Sequence, residues 1–135
     1  MSQENVETVR VILEAWSRGD WDAALKNAAP DLVIDNSTVI GEWRGIHRGH
    51  DAIRRMWERF TEPWEKVEIE VTEVIEARDD LVVVSTRARF VGRDGIELPG
   101  PTRSGWVWWF RDGQVVHNAI YNSLDEALEA AGLSE

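Results

Sequence analysis

Cysteine is absent from the chain, so neither disulfides nor thiolate chemistry is open to it. Basic side chains are scarce: 15 against 25 acidic ones leave a formal net charge of -10, which repels phosphate backbones and anionic lipid surfaces. No nucleic acid and no membrane surface is expected as a partner. Met1 to Asn5 is polar and acidic, and no apolar run approaches the length of a signal peptide or a membrane span. These absences together predict a soluble, cytoplasmic protein, in which the sequon Asn36-Ser37-Thr38 has no glycosylation role. Internal repeats, low-complexity tracts and linkers are also lacking. At 135 residues, a single domain over 1–135 is expected.

What the chain does have is a 43% share of hydrophobic residues and eight tryptophans, enough for a real core. The densest stretch is Ser104 to Asn122. Asp112-Gly113, between two apolar runs, readily takes the positive φ angles of a tight turn, so the flanks should pair as an antiparallel hairpin. Alternation places Trp106, Trp108 and Phe110 on one face and Val107 and Trp109 on the other. Both faces are apolar, so both need cover.

Read in order, Val6, Val9, Leu13 and Trp16 have helical spacing and predict a first helix over 3–18, ended by Gly19. Asp20 caps a short second helix over 21–29 that Pro30 terminates. Leu32 to Asn36 is a strand with Leu32, Ile34 and Asn36 on one side and Val33 and Asp35 on the other. Gly41, Gly45 and Gly49 punctuate a loop. They match neither common phosphate fingerprint and read as turn chemistry. Ile53, Met56, Trp57 and Phe60 predict a third helix over 50–61, stopped by Pro63. From Trp64 the period becomes two, with Val67, Ile69 and Val71 opposing Glu68, Glu70 and Thr72. Asp79-Asp80 turns into a strand over 81–91, where Val84, Thr86, Ala88 and Phe90 oppose Ser85, Arg87 and Arg89. Gly92-Arg93-Asp94-Gly95 turns again, and Pro99-Gly100-Pro101 delays the next strand. Ser123 and Glu126 have capping-box spacing, and Leu124, Ala127, Leu128 and Ala131 form the stripe of a final helix ended by Gly132.

Helices followed by antiparallel strands give an α+β architecture, a curved sheet wrapped over helices. Several stretches resemble the SnoaL-like branch of the nuclear-transport-factor-2-like superfamily, whose relatives include polyketide cyclases, ketosteroid isomerases and limonene epoxide hydrolases. They are Trp16-Ser17-Arg18-Gly19-Asp20-Trp21, Pro30-Asp31-Leu32-Val33, Arg48-Gly49-His50-Asp51-Ala52-Ile53, Phe110-Arg111-Asp112-Gly113-Gln114-Val115 and the segment Tyr121 to Leu128. The resemblance spans the whole chain. It implies a cone-shaped, cystatin-like mixed or antiparallel sheet on three to four helices. It also implies a pocket on the concave face carrying Trp16, Ile34, Asn36, Trp57, Phe60, Thr86, Ala88, Phe90, Ser104, Trp106, Trp108, Asn118, Ile120 and Asn122.

The catalytic groups of that superfamily fall here on Ile12, Asn36, Trp106 and Ile120, none of which is an acid or base. Asn36 is the catalytic candidate by position. Asp35 takes its place only with a shift of one residue, and strand parity then turns it away from Ile34. Three amides among aromatic rings need partners, because a buried amide without them costs about 1–3 kcal/mol. Either they satisfy one another at a wet strand end around a filled core, or a small apolar molecule does so in a cavity. Two functions stand: an isomerase, cyclase or hydrolase acting on an apolar compound, or a binding or interaction module without catalysis.

Other chemistry finds less support. His47-x-x-His50 with Asp51 has a spacing seen in metal sites, yet Arg44 and Arg48 crowd it and a fourth ligand is missing, so no metal and no cofactor is expected. His117 should face outward, away from Asn118. There is no Gly-x-Ser-x-Gly elbow. Glu68, Glu70, Glu73 and Glu76 read as a solvated edge. The convex face, with Val107, Trp109, Val115 and Ala119 among Ser85, Arg87, Arg89 and Arg103, reads as a homodimer interface anchored on Trp109, as the resemblance also implies.

Overall fold

The computed structural model describes residues 2–37, 44–98 and 102–133. Gly41, Thr38 of the sequon and the Pro99-Gly100-Pro101 segment lie outside the described residues. The order is α1 (Ser2–Ser17), α2 (Trp21–Leu25), β1 (Ala28–Asp35), β2 (Ile46–Arg48), α3 (His50–Thr61), β3 (Trp64–Arg78), β4 (Leu81–Gly92), β5 (Thr102–Arg111), β6 (Gln114–Tyr121) and α4 (Leu124–Ala130). The strands form one mixed sheet in the order β2-β1-β6-β5-β4-β3, in which only β1 and β6 run parallel. No helix among the described residues is long and apolar enough to cross a membrane.

Local chemistry explains most boundaries. Asp20 Oδ1 accepts from Ala23 N at 3.1 Å and starts α2. Ser123 Oγ accepts from Glu126 N at 3.1 Å and starts α4, the expected capping box. Asp112 and Gly113 both have positive φ, 51° and 79°, and close the β5–β6 hairpin as their sequence predicts.

Two boundaries differ from the periodic reading. Helix α2 stops at Leu25, and β1 begins at Ala28, so Pro30 sits inside a strand. It can do so because the register with β6 shifts between Ala28 and Val33, and an irregular pairing needs no N–H from proline. Residues 46–48, read as loop, form the edge strand β2 antiparallel to β1.

One sheet face meets α1, α2 and α3 through Val9, Leu13, Trp16, Leu25, Ile53, Met56 and Trp57, packed with Leu32, Ile34, Val82, Val84, Trp108 and Phe110. The other face carries a smaller core of Leu81, Val83, Val107 and Ala127, with Leu124 and Leu128 against it. Helix α4 therefore lies on the convex side. This corrects the interface expectation at Val107, which is fully covered within its own chain. Val115 is also corrected: Trp109 pairs with His117 and Phe110 with Val115, so the extra residue Val116 turns Val115 back into the larger core.

Candidate functional site

Between the concave face of β3–β6 and the helices α1 and α3 is a cavity of about 390 Å³. Its walls are aromatic and continuous. Trp16 contacts Phe60 at 5.6 Å between ring centroids, Phe60 meets Phe90 edge-on at 5.9 Å, and Phe90 meets Trp64 at 5.1 Å. Trp21, which does not line the cavity, backs this wall at 5.9 Å from Trp16 and 5.4 Å from Trp57. Trp106 stacks on Trp108 at 5.7 Å with 6° between planes, and Trp106 forms the opposite wall. Met56, Val67, Ile69, Ala88 and Ile120 fill in between the rings.

Of the residues expected in a pocket, Trp16, Asn36, Trp57, Phe60, Thr86, Ala88, Phe90, Ser104, Trp106, Ile120 and Asn122 line this cavity together. Ile34, Trp108 and Asn118 do not reach it. They border a separate narrow void of about 30 Å³, deeper toward α2 and shared with Trp16, Trp57, Trp106 and Ile120. Asn118 is buried and donates from Nδ2 to Val107 O at 3.1 Å, so this amide serves the sheet.

The mouth was not foreseen. Leu98 N donates to Phe90 O at 3.0 Å, and Val91 bridges Glu97, which folds the segment after β4 back along that strand. Arg89 holds Glu97 at 2.9 Å and Glu68 at 3.0 Å. The hydrogen bond from Arg89 holds the Glu97 carboxyl below the usual carboxylate range. Leu98 is thereby placed at the cavity mouth with Thr102 and Arg103. Arg103 borders this opening, and its register opposite Arg87 sets it on the same sheet face as that arginine. An exposed leucine after a turn gives no periodic signal, so only the pairing with Phe90 reveals it.

Two polar features stand out in the walls. Thr86 Oγ1 and Ser104 Oγ lie 2.7 Å apart, and Trp106 Nε1 donates to both, at 2.9 and 2.8 Å. Asn36 is 3% exposed; its Nδ2 donates to Met56 Sδ at 3.5 Å, and its Oδ1 has no partner among the described residues. Asp35 points to the other side, where its Oδ1 accepts from Ser37 N at 2.9 Å. It does not line the cavity. Apart from Arg103 at the mouth, no lining residue among those described is ionisable.

On the convex side, Trp109 packs on His117 at 4.7 Å between ring centroids. Burial pushes the His117 imidazole below its ordinary range, Asp35 pulling against that shift and Arg48 adding to it. Arg87 is paired with Glu70, and Arg89 with Glu68 and Glu97, within the chain. His50 Nε2 is 2.9 Å from Ala29 O, which fixes the start of α3 on β1. Among the described residues, no group of three His, Cys, Asp or Glu side chains could hold a metal ion.

A mixed sheet folded over helices around a tryptophan-walled hollow defines the class. The SnoaL-like domain model matches residues 9–118, and the chain belongs to that family. Solved structures agree on the fold. A nuclear-transport-factor-2-like protein of unknown function from Burkholderia pseudomallei is 22% identical with a TM-score of 0.75, covering 93% of this chain and 95% of its own. A putative polyketide cyclase from Xanthomonas campestris is 22% identical with a TM-score of 0.68, covering 98% of both chains. A Mycobacterium tuberculosis protein in complex with estradiol-17β-hemisuccinate is 13% identical with a TM-score of 0.75, covering 90% of this chain and 95% of its own. No curated protein matches.

Proposed function

We propose that this chain is a SnoaL-type pocket protein that takes up a small apolar molecule in the cavity of about 390 Å³. The observation that carries the reading is the lining: rings and aliphatic side chains, interrupted by Asn36, Thr86, Ser104 and Asn122. A mostly apolar wall with a few converging polar groups is the usual form of a small-molecule site, and the volume falls in the roughly 300–1,000 Å³ range of such sites. The steroid ester held by the Mycobacterium tuberculosis neighbour is that protein's own ligand, and it supports a ring compound here by analogy of fold alone.

Binding is favoured over isomerase, cyclase or hydrolase chemistry by one fact. Proton-transfer catalysis needs an acid or base within hydrogen-bond reach of substrate, and the described lining offers no carboxylate and no imidazole. The test is a fluorescence titration with N-phenyl-1-naphthylamine, a neutral apolar dye that brightens out of water. Saturable enhancement with one site per chain at micromolar dye is the expected result. Enhancement that never saturates overturns the pocket.

We also propose a homodimer through the convex surface beside α4, with Trp109, Arg87 and Arg89 toward the partner. Its support is the half-buried Trp109 ring beside His117 and the arginines on the neighbouring strand. Light scattering at micromolar concentration should give twice the chain mass; the mass of one chain would refute the dimer.

A further inference from the structure

The polar atoms of Asn36 and of the Trp106–Thr86–Ser104 cluster can be counted donor by donor, and the count does not close. Trp106 Nε1, Thr86 Oγ1 and Ser104 Oγ carry one hydrogen each. The indole hydrogen is shared between the two oxygens, and one hydroxyl hydrogen closes the 2.7 Å contact between Thr86 and Ser104. The other hydroxyl hydrogen has no acceptor among the described residues. This cluster therefore holds one donor to spare.

Asn36 holds the opposite surplus. Its Oδ1 is a buried acceptor without a donor among the described residues. The amide orientation follows from the sulfur beside it: an N–H is attracted to a thioether and an oxygen is repelled. That contact, at 3.5 Å, is the amide's single side-chain bond, and a bond to a thioether is weak. The terminal torsion of asparagine is broad, so a small turn brings the oxygen to the cavity that Asn36 already lines. Leaving such an acceptor unpaired costs about 1–3 kcal/mol, which any ligand donor would recover in part.

We infer that the cavity is built for an apolar ring compound bearing both a hydroxyl and a carbonyl, the hydroxyl donating to Asn36 Oδ1 and the carbonyl accepting from the Thr86–Ser104 hydroxyl pair. This rests on the pocket reading above and narrows it to a chemical class. A plain hydrocarbon leaves both surpluses open. An ether in place of the hydroxyl leaves Asn36 facing a second acceptor.

The experiment is displacement of N-phenyl-1-naphthylamine from the full chain by four compounds of one skeleton: 6-hydroxy-1-tetralone, 6-methoxy-1-tetralone, 5,6,7,8-tetrahydro-2-naphthol and tetralin. The hydroxy ketone should bind about tenfold tighter than its methyl ether and about tenfold tighter than the naphthol that lacks the carbonyl. In Asn36→Leu the hydroxyl-to-methoxy ratio should fall from about ten to about one while the carbonyl preference stays. A thermal midpoint at or above that of the native chain is expected for the variant, because the unpaired oxygen is gone. If dye binds but hydroxy ketone and methyl ether compete equally in the native chain, this inference is overturned and the pocket stands. A ratio preserved in Asn36→Leu also overturns it. Failure of the dye itself removes the pocket and this inference together.

Discussion

Gly105→Ala should cost about 3 kcal/mol of folding stability, toward the upper end of what overpacking does. In a domain of this size that corresponds to a loss of roughly 10 °C in thermal midpoint. A Cβ on Gly105 would lie 2.3 Å from Ser123 O, 2.8 Å from Ser123 C and 2.9 Å from Ala127 Cβ. Two of these are backbone atoms at the start of α4, so no side chain can rotate away. Ser123 O also accepts from Ala127 N at 3.2 Å, and shifting it opens the first turn. Relief means lifting α4 from the sheet, which uncovers Leu81, Val83 and Val107. Gly113→Ala is the control. Gly113 has a φ of +79° with nothing within 4 Å, so only the left-handed backbone is strained, at about 1–2 kcal/mol. Urea unfolding of both variants decides the matter. Should Gly105→Ala cost no more than Gly113→Ala, the close seating of α4 on β5 is wrong.

Ala88→Trp should weaken dye binding about a hundredfold, some 2.7 kcal/mol of binding free energy. Ala88 lies mid-strand in β4, paired with Ile69 on β3 and Thr102 on β5, and lines the cavity between Thr86 and Phe90. An indole there projects into the space a ligand would occupy, and the hollow receives it without displacing the helices. Stability should therefore change little while binding is lost. Parallel urea unfolding and dye titration separate the two. Unaltered dye affinity in a folded variant would mean that the dye binds elsewhere.

Much of this architecture was legible in the residues. Periodicity of 3.6 found α3 through Ile53, Met56, Trp57 and Phe60, of which the first three are buried. Turn chemistry found the hairpin at Asp112-Gly113, and capping chemistry found α4 at Ser123. Period-two reasoning put Thr86, Ala88 and Phe90 on one face of β4, and all three line the cavity. Its failures share a cause. Alternation is a count, and one inserted residue reverses it. At Val116 the insertion sends Val115 inward, and within β1 it leaves room for Pro30. Cover is the second blind spot. Val107 alternates outward as expected, but nothing local to β5 says that α4 returns to lie over it. The edge strand Ile46–Arg48 is the third case, too short to show any period and defined only by its partner β1.

The parallel pairing of β1 with β6 joins Ala28 to Val115 and Ile34 to Asn118, residues far apart along the chain. During synthesis, β1 must wait until β2, α3, β3, β4 and β5 have all been made before its permanent neighbour leaves the ribosome. Until then Leu32 and Ile34 have only the short edge strand β2 beside them. Such long-range closure slows folding and leaves an adhesive strand unprotected in the interval. The last third of the chain thus acts as the latch of the whole assembly, and truncation before β6 would release an aggregating fragment, not a smaller working domain.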